Sequence, residues 1–207
     1  MIVKPLRPED FNLDIAPEDP KRSPGLHMSD IYGRLYERLE PKRYGHDPDE
    51  DPARRKALFA LGFAVEQYTE RLLLAAGIDA HRPPEFRTPD EHGIAFSPDL
   101  LIYNGNVRGG EIKATFMSTG ELPTATSCTF PPKMDKYLTQ MKSYGHNLEI
   151  PDWVLFGWFL KGDYTKAKGG GEPFLVEFRP FQFTFTAREM RDEYVLLIRF
   201  ARTEKML

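Results

Sequence analysis

This sequence predicts a single mixed α/β or α+β domain, with one central mixed β-sheet flanked by helices. Three observations lead there. Residues 94–103 and 107–116 are apolar runs joined by Asn104-Gly105-Asn106, a strong short-hairpin signal. Stretches with apolar residues at helical spacing stand before, between and after the strand-like runs. The length, 207 residues, suits one domain with peripheral additions and a sizeable core. The order helix, helix, two strands, helix, two strands, helix lets helices cover one sheet.

The elements follow in order. Residues 1–28 carry prolines at 5, 8, 17, 20 and 24, which predicts an extended arm over the body or a partly disordered segment. Ser29 reads as the N-cap of a short helix, "SDIYGRLYERLE", ending before Pro41. Arm and helix make an N-terminal region, 1–50, packed on a domain of residues 51–207. "PKRYGHDPDEDP" reads as a proline-punctuated loop. A long helix is expected from Pro52 to Ala76, with Pro52 in its first turn and Gly77 as its stop. Leu58, Leu61, Gly62, Val65, Thr69, Leu72, Leu73 and Ala76 recur at helical spacing, predicting one buried face with Glu66 beside it.

After the hairpin, residues 117–130 read as a loop. "PPKMDKYLTQMKSYGHN" reads as a helix begun by Pro131 or Pro132 and ended at Gly145. "DWVLFGWFLKGDY" and "PFLVEFRPFQFTFT" read as strands separated by "KAKGGGE". Thr186 and Glu189 form a capping box for a closing helix to about residue 204.

Composition narrows the function classes. A net charge of −3 advertises no polyanionic partner globally, so any nucleic-acid contact must use a local basic groove. One cysteine, Cys128, excludes a disulfide framework or a cysteine-rich zinc or iron–sulfur site within the chain. The five histidines lack zinc-ligand spacing. The first 25 residues lack the apolar core of a signal peptide, and no run suits a bilayer span, so a cytoplasmic location without membrane contact is expected. Phe174, Phe178, Phe181, Phe183 and Phe185, with Trp153 and Trp158, read as sheet packing.

The hairpin carries the chemistry. With a turn centred on Gly105, cross-strand partners have numbers summing to 210, which sets Asp99 opposite Glu111 and Ser97 opposite Lys113. Residues two apart share a face, so Asp99, Glu111 and Lys113 converge on one patch. Adjacent carboxylates repel, and a cation between them removes the penalty. Lys113 supplies part of that neutralisation; a hard divalent ion would supply more and would activate water. Pro-Asp occurs four times here and Glu-x-Lys twice, but only Pro98-Asp99 and Glu111-Ile112-Lys113 sit together on two apolar strands joined by a tight turn. The bland alternative is a solvated strand face with a cross-strand ion pair.

Pro98-Asp99 followed by Glu111-Ile112-Lys113 resembles the PD-(D/E)XK nuclease superfamily. The flanking pieces resemble its RecB-like, lambda-exonuclease-like branch. Gly62 and Glu66 match its upstream helix, and Gln140 and Tyr144 match its glutamine–tyrosine pair, in the family's order over roughly residues 55–160. The resemblance implies a restriction-endonuclease-like core and DNA as partner. It implies Glu66, Asp99 and Glu111 as ligands of one or two Mg²⁺ or Mn²⁺ ions, assisted by the Ile112 carbonyl. Lys113 would be the catalytic lysine, acting with Asp99, Glu111 and Gln140. Gln140 and Tyr144 would face the DNA or support the lysine. Lys133, Lys136, Lys142 and Arg108, with Arg54-Arg55-Lys56, would line a phosphate groove; the bland reading is that they are solvated.

The chain departs from the branch in having too few cysteines for the iron–sulfur site of its CRISPR-adaptation members, and it shows no helicase motif. The expected activity is a metal-dependent DNA exonuclease in recombination, repair or phage DNA processing. An endonuclease of restriction or junction-resolving type is the nearest rival. A non-catalytic nucleic-acid-binding protein on the same fold is the alternative from another class. A ring-shaped homo-oligomer would suit a processive exonuclease, but nothing in the sequence demands one.

Overall fold

A computed structural model describes residues 23–45, 51–122, 130–161 and 176–207. Most of the expected N-terminal arm, Cys128 and the "KAKGGGE" stretch lie outside the described residues. The helices are α1 (Met28–Leu39), α2 (Pro41–Tyr44), α3 (Pro52–Ala75), α4 (Asp135–Leu148) and α5 (Ala187–Thr203). The strands are β1 (Ala80–His81), β2 (Phe86–Arg87), β3 (Ala95–Phe96), β4 (Leu100–Asn104), β5 (Asn106–Thr115), β6 (Asp152–Phe159) and β7 (Glu177–Thr184).

Strands β1, β4, β5, β6 and β7 form one sheet in that order, antiparallel except for the parallel β5–β6 pair that α4 connects. β2 and β3 make a separate small hairpin. A larger core on one face joins α1, α4 and α5 to the sheet through Ile31, Met141, Tyr144, Trp153, Leu155 and Leu197. A smaller core on the other face joins α3 to Leu100, Ile102, Ile112 and Phe156 through Leu73. The architecture is the predicted mixed sheet flanked by helices. No helix among the described residues is long and apolar enough to cross a membrane.

The hairpin register is the one that Gly105 predicts. Leu100 pairs with Gly110 and Asn104 with Asn106, and Gly105 takes a left-handed φ of 82°. The first strand, expected as an unbroken run from 94, is interrupted between Phe96 and Leu100. Pro98 in the gap has no N–H to give a ladder, which suits a break.

Other boundaries moved for identifiable reasons. α1 starts at Met28 with His27 as N-cap, not Ser29; the His27 N–H donates to Asp30 Oδ2 at 3.1 Å, and His27 bridges to Ala95. The stretch after Pro41, expected as loop, begins with the short helix α2. Asp51 caps α3 by accepting from Ala53 N at 3.0 Å, and Gly77 ends it with a φ of 76°. The terminal capping box is present: Thr186 Oγ1 accepts from Glu189 N at 3.2 Å, and Glu189 Oε2 accepts from Thr186 N at 2.8 Å.

Two expectations fail. α4 does not stop at Gly145 but runs on to Leu148. Gly145 serves close approach instead, since a Cβ there would lie 2.7 Å from the Ile150 carbonyl oxygen and 2.9 Å from Trp153 Nε1. The broad buried face expected for α3 is also absent. Of its residues only Thr69 and Leu73 are buried, while Leu58, Leu61 and Leu72 are exposed. The helix meets the sheet along a narrow stripe, where Thr69 Oγ1 accepts from Trp158 Nε1 at 2.9 Å.

Candidate active site

The interruption before β4 builds the site. Asp99 lies one residue before the first ladder pair, so its side chain reaches across instead of standing in the sheet. Its Oδ2 accepts the main-chain N–H of Ile112 at 2.8 Å. This ties the Pro98-Asp99 step to the centre of β5.

Alternation along β5 then sorts the side chains. Gly110 and Ile112 belong to the face packed on α3, and Glu111 and Lys113 to the other. Gly109 shares the Glu111 face, where a Cβ would lie 2.5 Å from the Trp153 ring. Glu111 is fully buried. The Lys113 ammonium is in ion-pair contact with Glu111 Oε1 and lies 3.5 Å from Asp99 Oδ2. Apart from that ion pair, the Glu111 oxygens have no hydrogen-bond partner. Lys113 Nζ also lies 5.6 Å from the centre of the Tyr137 ring on α4. The ammonium thus has carboxylates on one side and an aromatic face nearby.

Glu66 completes the acidic group from α3. Arg82, just after β1, donates from its guanidinium to Glu66 Oε2 at 2.9 Å. The Arg82 main-chain N–H donates to Glu70 Oε1 at 3.0 Å, one helical turn further along α3.

The electrostatics share one cause. Three carboxylates face a single nearby lysine in a poorly solvated place, and burial with excess negative charge favours the protonated forms of Glu66, Glu111 and Lys113. Burial pushes the Glu66 carboxyl up to about 7, and the Asp99 charge adds to the shift. Burial and Asp99 likewise push Glu111 well above the usual carboxylate range. Asp99 and Glu111 outweigh the desolvation of Lys113 and raise its ammonium far above the usual lysine value. Lys113 is therefore a fixed cation at neutral pH.

A cleft of about 520 Å³ opens here, lined by Glu66 and Phe63 of α3, Asp99, Arg82, and Gln140 and Tyr144 of α4. Gln140 and Tyr144 are both buried. Tyr144 packs 5.3 Å from the Phe96 ring and within hydrogen-bonding reach of Tyr32, so it forms part of the cleft wall more than a projecting contact. A second cavity, of about 180 Å³, lies beside Lys113 between Tyr44, Lys133 and Tyr137.

The cations expected to line a phosphate groove take different positions, with Lys133 lining the cavity beside Lys113. Lys136 lies 5.3 Å from the Tyr44 ring centre and 5.8 Å from that of Tyr32. Lys142 faces away, 3.7 Å from Glu193 on α5. Arg108 shares the strand face of Gly110 and Ile112, opposite Glu111 and Lys113. Arg54, Arg55 and Lys56 are exposed on the first turn of α3.

Sequence reasoning missed Arg82 and Tyr137. Tyr137 was accessible from spacing, because 137, 140, 141 and 144 share a helical face. Arg82 had no local signal.

As they stand, no three His, Cys, Asp or Glu side chains among the described residues converge on one ion-sized point. Protein cations lie against the carboxylates. The donor set nonetheless fits a hard divalent ion: Glu66, Asp99, Glu111 and the Ile112 carbonyl offer only oxygen, and the buried Glu111 carboxylate has no partner apart from the Lys113 ion pair.

No family model and no curated protein matches the chain. Solved structures do. The exonuclease LHK-Exo in complex with dAMP is 11% identical, with a TM-score of 0.50 over 86% of this chain and 87% of that one. The alkaline exonuclease LHK-Exo of Laribacter hongkongensis is 13% identical, at a TM-score of 0.46 over 87% and 89%. A phage-related exonuclease of Haemophilus somnus 129PT is 13% identical, at 0.49 over 85% and 79%. At such identities the likeness concerns the fold, which the chain shares with LHK-Exo.

Proposed function

We propose that the chain is a divalent-metal-dependent DNA nuclease of PD-(D/E)XK type, acting as an exonuclease. The observation that carries this reading is the Lys113 ammonium lying between Asp99 and Glu111 beside a cleft that Glu66 also lines. The LHK-Exo complex with dAMP, on a shared fold, supports a nucleotide-bearing substrate.

A bound Mg²⁺ or Mn²⁺ would supply Lewis acidity toward a phosphodiester and would acidify a water. Glu66, Asp99, Glu111 and the Ile112 carbonyl would hold it. The rest falls to the chain. Lys113, held charged by its neighbours, donates hydrogen bonds and stabilises charge that develops on the phosphoryl oxygens. It is not free to act as the base while both carboxylates are ionised beside it. Gln140 and Tyr144 shape the wall against which the substrate is oriented.

The test uses end-labelled linear DNA against closed circular DNA, with Mg²⁺ or Mn²⁺, for wild type and Lys113→Ala. Loss of linear DNA alone is the expected result. Nicked circles would make the protein an endonuclease. DNA binding without any metal-dependent, Lys113-sensitive cutting would make it a binding protein on the same fold.

A further inference from the structure

The cleft presents a difficulty for a polyanion. Glu66, Asp99 and Glu85 all line it, and Glu111 is buried beside it. A phosphodiester must approach these carboxylates, so cations have to be available at the moment of binding. Among the described lysines and arginines, only Arg82 lines this cleft. Lys113 is held by Glu111 and Asp99.

Arg82 is anchored by its main chain and reaches the cleft with its side chain. Its main chain is anchored to α3 by the bond to Glu70 Oε1, so the backbone position does not depend on what the side chain does. The guanidinium bonds Glu66 Oε2, and its side chain is 38% exposed at the cleft. Glu66 is also the carboxylate that a divalent ion would need under the nuclease reading. A guanidinium and a divalent cation compete for it, and the planar fork matches phosphate as well as carboxylate.

We propose that Arg82 is a substrate-positioning residue that exchanges partners: it neutralises Glu66 before the metal enters, and it turns to a nucleic-acid phosphate oxygen once Glu66 is committed to the ion. This rests on the nuclease reading. It makes metal and DNA binding mutually supportive, because each releases or uses the group that the other needs. No covalent step is involved, only exchange of ionic hydrogen bonds.

The test compares Arg82→Ala and Arg82→Lys, each in a Lys113→Ala background to prevent cutting, with that background alone as reference. Three quantities are read: Mn²⁺ affinity without DNA, affinity for a fluorescent duplex with and without Mg²⁺, and the melting temperature. Removing the competing cation should tighten Mn²⁺ binding about threefold to tenfold. The same change should cut the Mg²⁺-induced gain in DNA affinity by about tenfold, with Arg82→Lys restoring part of it. Unchanged Mn²⁺ affinity and unchanged coupling in Arg82→Ala would overturn the proposal. So would loss of both together with a lowered melting temperature that Arg82→Lys does not repair, since Arg82 would then be a strut between β1 and α3. If the reference protein binds no Mn²⁺, the metal reading itself fails, which is distinct from an Arg82 effect that is missing where metal binds.

Discussion

Asp99 Oδ2 accepts the main-chain N–H of Ile112 at 2.8 Å, although the two residues lie outside any common ladder pair. One carboxylate oxygen therefore fastens the start of β4 to the middle of β5, while the Lys113 ammonium stands 3.5 Å from the same oxygen. Structural and electrostatic duties meet in a single group.

These duties can be separated. Asp99→Asn keeps an acceptor for Ile112 and removes the charge; Asp99→Ala removes both. Asp99→Asn should unfold close to wild type but lose cleavage. Asp99→Ala should lose about 1–3 kcal/mol of stability as well, because a main-chain donor is left unpaired. Urea denaturation and a cleavage assay distinguish the two.

Glu111 should act against stability at alkaline pH. Its folded-state carboxyl titrates above its unfolded value, so the folded chain holds more protons between about pH 4.5 and the raised value. Stability from this group is present below pH 4.5 and is lost as pH rises through that window. Glu111→Gln removes this titration together with the ion pair to Lys113, so the test is the slope: its melting temperature should fall less than that of wild type as pH rises from about 5 to 8. An equal slope in the two proteins would contradict this linkage.

Metal affinity should climb with pH. Glu66 titrates at about 7 and Glu111 is raised in the same direction, and ligation requires both ionised. Mn²⁺ binding should weaken as pH falls from 8 to 6 and should release protons. Titration calorimetry in buffers of different ionisation enthalpy measures the release. A pH-independent affinity would remove these carboxylates from the ligand set.

Tyr137 should hold Lys113 through its ring and not its hydroxyl. Tyr137→Phe should cleave within about threefold of wild type, whereas Tyr137→Ala should lose about tenfold, the scale of a partly desolvated cation–π contact. Single-turnover rates at saturating metal decide it.

Gly145→Ala should destabilise by about 1–3 kcal/mol, since its methyl meets Ile150, Trp153 and Met190 closer than 3 Å. Mn²⁺ affinity of the folded protein should be unchanged, because these contacts lie away from the carboxylates.

Much of the fold was legible because it is locally encoded. Asn104-Gly105-Asn106 determined a register that every pair from Leu100 to Asn104 obeys, and through it the approach of Asp99 to the Glu111 segment. Thr186 with Glu189, and Pro52 in a first turn, marked helix starts through signals only a few residues long. The face that Arg108 takes was also legible, because an even-numbered residue on β5 cannot share the face of Glu111 and Lys113.

The rest belongs to tertiary packing. Helical spacing on α3 could not reveal that so little of its apolar surface is covered, since periodicity shows which side can be buried and not what arrives to bury it. Complete burial of Glu111, the Tyr137 ring near Lys113 and the Arg82 hold on Glu66 come from elements distant in sequence. Sequence alone determined which chemical groups the hairpin carries and in what register. The surrounding helices and β1 decided how far those groups are removed from water and which cations neutralise them, because desolvation and ion pairing depend on distance in space and not on separation along the chain.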